Sequence, residues 1–208
     1  MPADLPPQDP SYDGPSHDDL LRTRLLDTLQ AIEPWDEQER AHLQSAAQWA
    51  SSGAPLHRTR KPDVPAMHLV SYFAVHDEAR HELLLVAHRK AGLWLPPGGH
   101  VEPGEDPWTT VVRECREELH LDAVASPLTG KQPFFVTVTP TRGPGSHTDV
   151  SLWYLLRASR DSVTSYDQGE FDGIRWLTET QILDEPLESM DPHMHRFTRK
   201  LRHRAHPR

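Results

Sequence analysis

Residues 98–121 read GGHVEPGEDPWTTVVRECREELHL, and this stretch decides the fold. Its first part is rich in glycine and proline, which is typical of a loop. Asp106 and Pro107 are a favourable N-cap and a favourable first helical residue, so a helix is predicted from there to about Leu119. A loop that leads directly into a helix is therefore the first structural prediction.

The predicted helix has two chemically different sides. At about 100° per residue an apolar stripe forms for a core, consisting of Trp108, Val111, Val112, Cys115 and Leu119. Glu114, Glu117 and Glu118 lie outside the stripe at i, i+3 and i+4, where like charges oppose helix formation by roughly 0.2 to 0.5 kcal/mol per pair. An isolated acidic run is usually a solvated face. Clustered carboxylates are also the ligands that Mg²⁺ and Mn²⁺ prefer. The surrounding residues must therefore decide between a solvated face and a metal site.

The surrounding residues resemble the signature of the Nudix hydrolases (MutT-like), G-x5-E-x7-R-E-U-x-E-E-x-G-U, where U is bulky and apolar. Six specified positions match at the required spacing: Gly99, Glu105, Arg113, Glu114, Glu117 and Glu118. At roughly 1 in 20 per position, such a match arises by chance on the order of 10⁻⁶. The resemblance implies an α/β fold, the α/β/α sandwich with a mixed sheet, and hydrolysis of a nucleoside diphosphate linked to another group.

Two positions depart from the signature. Cys115 stands where an aliphatic residue is usual, and its place on the apolar stripe predicts that it packs in the core. His120 replaces the glycine that ends the helix, and a strained left-handed cap is predicted because His adopts positive φ more often than most residues. Neither departure changes a carboxylate.

The resemblance also implies a set of metal ligands. Glu117 and Glu118 are expected as the principal ligands, and Glu114 as a further ligand or as the base that deprotonates water. The backbone carbonyl of Gly98 is an additional expected ligand, because a Gly-Gly pair lets the main chain approach a metal closely. Mg²⁺ is the expected cofactor, with Mn²⁺ as the alternative.

Residues around these ligands are expected to support catalysis. Arg113 is expected to orient a glutamate through a bidentate pair, with Glu105 supporting the site one turn before the helix. Glu170, in the downstream segment EFDGIRW, is the candidate for a late ligand or base. Asp167 and Asp172 are alternatives in the same loop.

Other candidates have competing interpretations. Arg89 is a candidate for phosphate contact or a solvated strand end, and Trp94 for base stacking or core packing. His147 and Asp149 alternate on one strand face and are candidates for lining the pocket, although residues at a loop edge often have no function.

Composition restricts the partners. The chain has 208 residues and a net charge of -9, with 31 acidic and 22 basic side chains, which argues against binding of nucleic acid polymers. The single cysteine excludes an internal disulfide and suits a reducing compartment. Because no apolar run is long enough to cross a bilayer, we expect a cytoplasmic protein without a membrane partner.

The chain divides into four predicted parts. Residues 1–17 are predicted as a disordered tail, and 18–64 as a helical hairpin with a linker. Its apolar faces would pack on the catalytic domain or on a second subunit of a homodimer. Residues 65–190 are predicted as the Nudix domain, with strands near 68–75, 82–89, 93–95, 134–139, 150–156 and 173–177 and a short helix near 179–183. Residues 191–208 are predicted as a helix and basic tail, solvated together with His193 and His195.

The substrate is left open by the sequence. Nucleoside triphosphates, including oxidised ones, are the default, because motifs for NADH or coenzyme A hydrolysis are missing. Two other functions share the fold: a nucleotide-sensing module without turnover, and an isoprenoid diphosphate isomerase, which would need a reactive cysteine.

Overall fold

A computed structural model describes residues 16–60, 64–141 and 146–205. Most of the predicted tail (1–15), part of the linker (61–63), the tip of a Gly/Pro loop (142–145) and the last three residues lie outside the described residues. Ser16 and His17, predicted as tail, instead begin the first helix. The reason is a capping box, in which Ser16 Oγ accepts a hydrogen bond from the Asp19 backbone at 3.1 Å.

The regular elements follow the predicted order with one correction: residues 98–100, predicted as part of a loop, form a short strand because they pair with the first strand of the sheet. The N-terminal hairpin consists of α1 (His17–Ala31) and α2 (Glu37–Ser51). The strands are β1 (Met67–Asp77), β2 (Glu82–His88), β3 (Leu93–Leu95), β4 (Gly98–His100), β5 (Phe135–Pro140), β6 (Thr148–Arg157) and β7 (Phe171–Thr178). The remaining helices are α3 (Pro107–Leu119), α4 (Glu179–Asp184) and α5 (Met194–Ala205). Within the described residues, no helix is both long and apolar enough to cross a bilayer.

The strands form one mixed sheet. The order along the sheet is β3-β2-β1-β6-β5, with β4 paired to β1 and β7 paired to β2. The β1–β6 pair is parallel and the other pairs are antiparallel. Met67 is opposite Thr148, so the N-terminal ends of β1 and β6 lie side by side.

The two faces of the sheet have separate cores. Leu69 and Phe73 of β1 belong to the core that contains Val111 of α3 and the leucines of α1. Ala74 of β1 belongs to the other core, which contains residues of α4 and α5. Because successive strand residues point to opposite faces, this division follows from the alternation along β1. The α/β/α sandwich predicted from the sequence is confirmed.

The N-terminal hairpin packs on the catalytic domain. Leu21, Leu25 and Leu29 of α1 are buried in the core that α3 shares. Helix α2 lies along β5, the outer strand of the sheet, and the backbone of Val136 hydrogen-bonds to Glu39 and to His42. Of the two predicted partners for the hairpin, the structure shows the catalytic domain.

The prediction of a solvated C-terminal helix is wrong in two places. Lys200 Nζ lies 2.7 Å from Glu39 Oε1, and both side chains are buried, so α5 is tied to α2. His193 is buried and its Nε2 lies 2.9 Å from Thr139 Oγ1, while His195 is half-buried. The helix begins at Met194, later than predicted, so His193 precedes it and packs against β5.

Candidate active site

Both ends of α3 are held by the predicted capping residues. Asp106 Oδ1 accepts hydrogen bonds from the backbones of Trp108 and Thr109, each at 3.0 Å. His120 ends the helix at φ 54 and ψ 34, the left-handed conformation predicted for it. These caps determine where the glutamates of the helix lie relative to the loop.

Glu118 is the most buried carboxylate of the site. The residue is 2% exposed, and among the described residues its Oε2 has no hydrogen-bond partner. Burial first, and then the charges of Glu114 and Glu170, raise the pKa of Glu118 to about 10, against a backbone hydrogen bond from Gly98. A buried carboxylate in these surroundings requires a proton or a cation.

Glu114 lies beside Glu118 and faces the glycine loop. Its side chain is 13% exposed, and Arg113 Nη1 donates to its Oε1 at 2.8 Å. Burial raises the pKa of Glu114, and the Arg113 charge opposes this. A Cβ at Gly99 would lie 1.9 Å from Glu114 Oε1, so the close approach of loop and helix requires glycine at this position.

Arg113 joins the loop to the helix. Its Nε and Nη2 donate to the two oxygens of Glu105 at 2.9 and 3.1 Å, which is a bidentate pair. Its Nη1 reaches Glu117 Oε2 at 3.3 Å, and its Nη2 also donates to the carbonyl of His100 at 3.1 Å. Glu105 accepts a further bond from Thr110 Oγ1 at 2.8 Å. The structure therefore places Glu105 against Arg113, and Glu117, at 60% side-chain exposure, on the solvent side.

Glu170 lies in the loop that precedes β7, where its charge acts on the helix carboxylates. It raises the pKa of both Glu114 and Glu118. Asp167, the first alternative, donates its backbone N–H to the Glu118 carbonyl at 2.8 Å and also raises the pKa of Glu118, as the last of the causes. The other alternative, Asp172, pairs with Arg89, and its charge is not among the causes of the raised pKa of Glu114 or Glu118. The loop thus brings Glu170 to the cluster predicted from the sequence.

Arg89 and Trp94, the two candidates for substrate contact, each have a partner among the described residues. Arg89 Nη2 lies 3.0 Å from Asp172 Oδ1, and the Arg89 backbone N–H donates to the Glu170 carbonyl at 2.9 Å. The guanidinium carbon of Arg175 lies 3.9 Å from the centre of the Trp94 ring. The Arg175 side chain occupies one face of that ring, which agrees with packing as the role of Trp94.

Cys115 is buried in the core, as predicted from its place on the apolar stripe. It is 2% exposed, and burial followed by the charge of Glu118 raises the pKa of its thiol to about 12. A thiol in this state is not reactive. The chain therefore lacks the reactive cysteine that the isomerase alternative needs.

The sequence interpretation missed one cluster of side chains that could hold a metal ion. His68, His100, His147 and Asp149 each place a metal-ligating atom within 4.8 Å of the others. Only His147 and Asp149 were candidates, as pocket residues. His68 and His100 lie on other strands, and no local spacing in the sequence connects them with β6.

The residues around Glu118 fit a hard divalent cation. A buried carboxylate oxygen without a partner in the described chain lies beside two further carboxylates, and all of these ligands are oxygens. Oxygen ligands of this kind suit Mg²⁺ and Mn²⁺ better than softer metals.

The sandwich, the glycine loop and the glutamate-bearing helix together define a hydrolase of phosphorus acid anhydrides. The chain belongs to the Nudix hydrolase family, since the model of the NUDIX domain matches residues 67–201. The matched range includes α5 up to Leu201.

Individual relatives agree with this membership. The chain is 29% identical over 121 residues to the uncharacterized Nudix hydrolase YvcI of Bacillus subtilis (strain 168), covering 57% of this chain and 72% of that protein. It is 51% identical over 41 residues to the asymmetrical bis(5'-nucleosyl)-tetraphosphatase of Sus scrofa, covering 20% of this chain and only 28% of that protein.

Solved structures share the fold. An Ap4A hydrolase of Caenorhabditis elegans, in a binary complex, superposes with a TM-score of 0.50 at 19% identity, over 64% of this chain and 94% of that one. A MutT protein of Methanosarcina mazei Go1 gives a TM-score of 0.50 at 20% identity, over 65% and 93%. At these identities the likeness concerns the fold alone.

Proposed function

We propose that this protein is a Mg²⁺-dependent pyrophosphohydrolase that cleaves a nucleoside diphosphate linked to another group. The observation that carries the proposal is the buried Glu118 carboxylate, whose Oε2 has no partner among the described residues and which lies near Glu114 and Glu170. Such a cluster is unfavourable without a cation. Substrates with adjacent phosphates also require a cation, because their negatively charged oxygens repel a nucleophile unless that charge is neutralised.

The side chains divide into ligands and residues that position them. Glu117, Glu118 and the Gly98 carbonyl are the proposed ligands, and Glu114 completes the set. When bound, Mg²⁺ neutralises phosphate charge and lowers the pKa of water. Arg113 positions Glu114 through the 2.8 Å hydrogen bond.

Glu105 positions Arg113 in turn. The bidentate pair between them leaves Nη1 of Arg113 available for Glu114 and Glu117. Loss of Glu105 would therefore misplace two proposed ligands at once, although Glu105 itself does not touch the cluster.

Glu170 is the proposed general base. Glu114 Oε1 accepts the Arg113 hydrogen bond at 2.8 Å and the side chain is only 13% exposed, so Glu114 is less accessible to an attacking water than an exposed carboxylate is. Glu170 is exposed, and its charge acts on both Glu114 and Glu118, so it lies near the proposed ligands and is open to water. Arg89 lies next to this loop and is the proposed phosphate contact.

The proposed substrates are nucleoside triphosphates, including oxidised ones. Dinucleoside tetraphosphates are the second class, supported by the short match to the Sus scrofa enzyme. The net charge of -9 favours small substrates that arrive with a bound cation over nucleic acid polymers.

The test measures phosphate and pyrophosphate release from nucleotides, oxidised nucleotides, nucleotide sugars and dinucleoside polyphosphates, with Mg²⁺, Mn²⁺ or EDTA. We compare wild type with Glu118→Gln, Glu114→Gln and Glu170→Gln, and use Glu188→Gln on the exposed segment before α5 as the matched control. Turnover should fall more than about a hundredfold in the first variant, beyond the 10- to 100-fold typical of outer-shell partners, and stay at the wild-type rate in the control.

Two results would reject the proposal. Wild-type turnover by Glu118→Gln would remove the metal assignment. Tight binding of one compound by wild type without any turnover would point to a nucleotide sensor.

A further inference from the structure

We propose that His68, His100, His147 and Asp149 form a second metal site, for a transition-metal ion of the Zn²⁺ type, distinct from the glutamate cluster. One ligand atom from each residue lies within 4.8 Å of the other three. Three imidazoles and one carboxylate are a donor set that suits Zn²⁺ and other imidazole-binding metals rather than Mg²⁺.

The pairing of three strands brings these residues together on one face of the sheet. His68 of β1 is opposite Asp149 of β6 in the parallel ladder. His147 precedes Asp149 by two residues, which keeps it on the same side. Val70 is opposite His100 of β4, so His100 joins the face that carries His68. The cluster is thus produced by strand register.

The distances are close to those of an occupied site. Asp149 Oδ1 lies 3.0 Å from His147 Nε2 and 3.6 Å from His68 Nε2. Ligand atoms around a tetrahedral Zn²⁺, at bond lengths of about 2.0 to 2.1 Å, lie about 3.4 Å from one another. The two separations bracket this value, and the most distant pair of ligand atoms, within 4.8 Å of each other, would have to move closer on binding.

Second contacts orient two of the imidazoles for metal binding. His68 Nδ1 lies 2.9 Å from the Pro65 carbonyl, which can only accept, so Nδ1 carries the proton and the Nε2 lone pair points towards Asp149. His147 is held by Thr141, whose Oγ1 accepts from the His147 backbone at 2.9 Å and lies 3.2 Å from its Nδ1. Such outer contacts are typical of histidines that ligate metals.

The alternative is a hydrogen-bonded group in which Asp149 pairs with one protonated histidine. Ring centres of His68 and His147 are 4.7 Å apart, and those of His68 and His100 are 4.8 Å apart. A single carboxylate can pair with one positive imidazolium only. A divalent cation can bind one nitrogen from each of the three imidazoles, with Asp149 as the balancing charge.

The position of the site suggests a structural role. Four protein ligands close the coordination shell, as in structural zinc sites. His100 directly follows Gly99 in β4, and Arg113 donates to its carbonyl at 3.1 Å. A metal on His100 would fix β4, and with it Gly98, to β1 and β6.

The test uses the full chain, stripped with a chelator and titrated with Zn²⁺ by calorimetry and with Co²⁺ by visible absorption. The measurements use the Glu114→Gln/Glu118→Gln background, so the carboxylate site does not contribute. We expect one ion per chain, with the visible bands of tetrahedral Co²⁺. His147→Ala and Asp149→Asn should each weaken binding more than a hundredfold, while His203→Ala on the exposed side of α5 should bind as the background protein does.

Two outcomes would overturn the proposal. One is that the background protein, in which all four cluster residues are unchanged, does not bind one metal ion per chain. The other is retention of affinity within about twofold by Asp149→Asn, whose folding is checked by circular dichroism. Either result would favour the hydrogen-bonded group.

Discussion

Replacing Glu118 by glutamine should stabilise the metal-free protein although it removes the proposed catalytic metal site. The residue is 2% exposed, and the pKa of its carboxyl group is raised to about 10, from an ordinary value of 4.5, by burial and by Glu114 and Glu170. The folded protein therefore binds this proton more tightly than the unfolded chain does. By linkage, the free energy of unfolding falls as pH rises from about 4.5 to about 10.

The size of the effect follows from these values. At pH 7.5, three units above 4.5, the raised pKa costs about 4 kcal/mol of stability, at 1.36 kcal/mol per unit. Glutamine avoids this cost but buries an N–H₂ group, which costs roughly 1 to 3 kcal/mol if it finds no acceptor. We therefore expect a net gain of about 2 kcal/mol for Glu118→Gln.

The assay is urea denaturation in EDTA at pH 6.0, 7.5 and 9.0, with Glu188→Gln as control. The difference between Glu118→Gln and wild type should grow with pH, whereas the control should follow wild type. Adding Mg²⁺ should stabilise wild type and leave the Glu118 variant unchanged. A Glu118→Gln protein less stable than wild type at pH 9.0, or a difference independent of pH, would refute the reasoning.

Three further changes test other parts of the structure. Gly99→Ala would place a Cβ 1.9 Å from Glu114 Oε1; the fold should survive because Glu114 can move, and turnover should fall about a hundredfold at an unchanged circular dichroism spectrum. Lys200→Met leaves Glu39 buried without its cation and should cost about 3 to 5 kcal/mol in denaturation, most of which Lys200→Met/Glu39→Gln should restore. Cys115, with a pKa raised to about 12, should resist thiol reagents until the protein is unfolded, and rapid native labelling would contradict its burial.

The features that the sequence predicted well are those with local signals. Helix α3 was bounded by Asp106, Pro107 and His120, each of which acts within one turn of its own position. The contact of Arg113 with Glu105 spans eight residues of one loop and helix. The Nudix signature covers this same segment, so resemblance and local chemistry pointed to the same place.

The features that the sequence could not predict depend on distant pairings. His68 and His100 reach one site because β1 pairs with both β4 and β6, and register in a sheet is a property of the whole fold. Lys200 and Glu39 are separated by 161 positions. The basic composition of α5 predicted a solvated helix, because the sequence alone does not distinguish a buried lysine that has a carboxylate partner from a surface lysine.

Helix α2 has a consequence for any shortened form of the protein. An outer strand exposes a row of backbone donors and acceptors that can pair with another chain. Here α2 covers β5, and Glu39 and His42 bind the backbone of Val136. A chain that starts after the hairpin would keep every residue of the Nudix signature and open this edge to strand addition. Such a fragment should therefore aggregate more readily than the chain that retains both N-terminal helices.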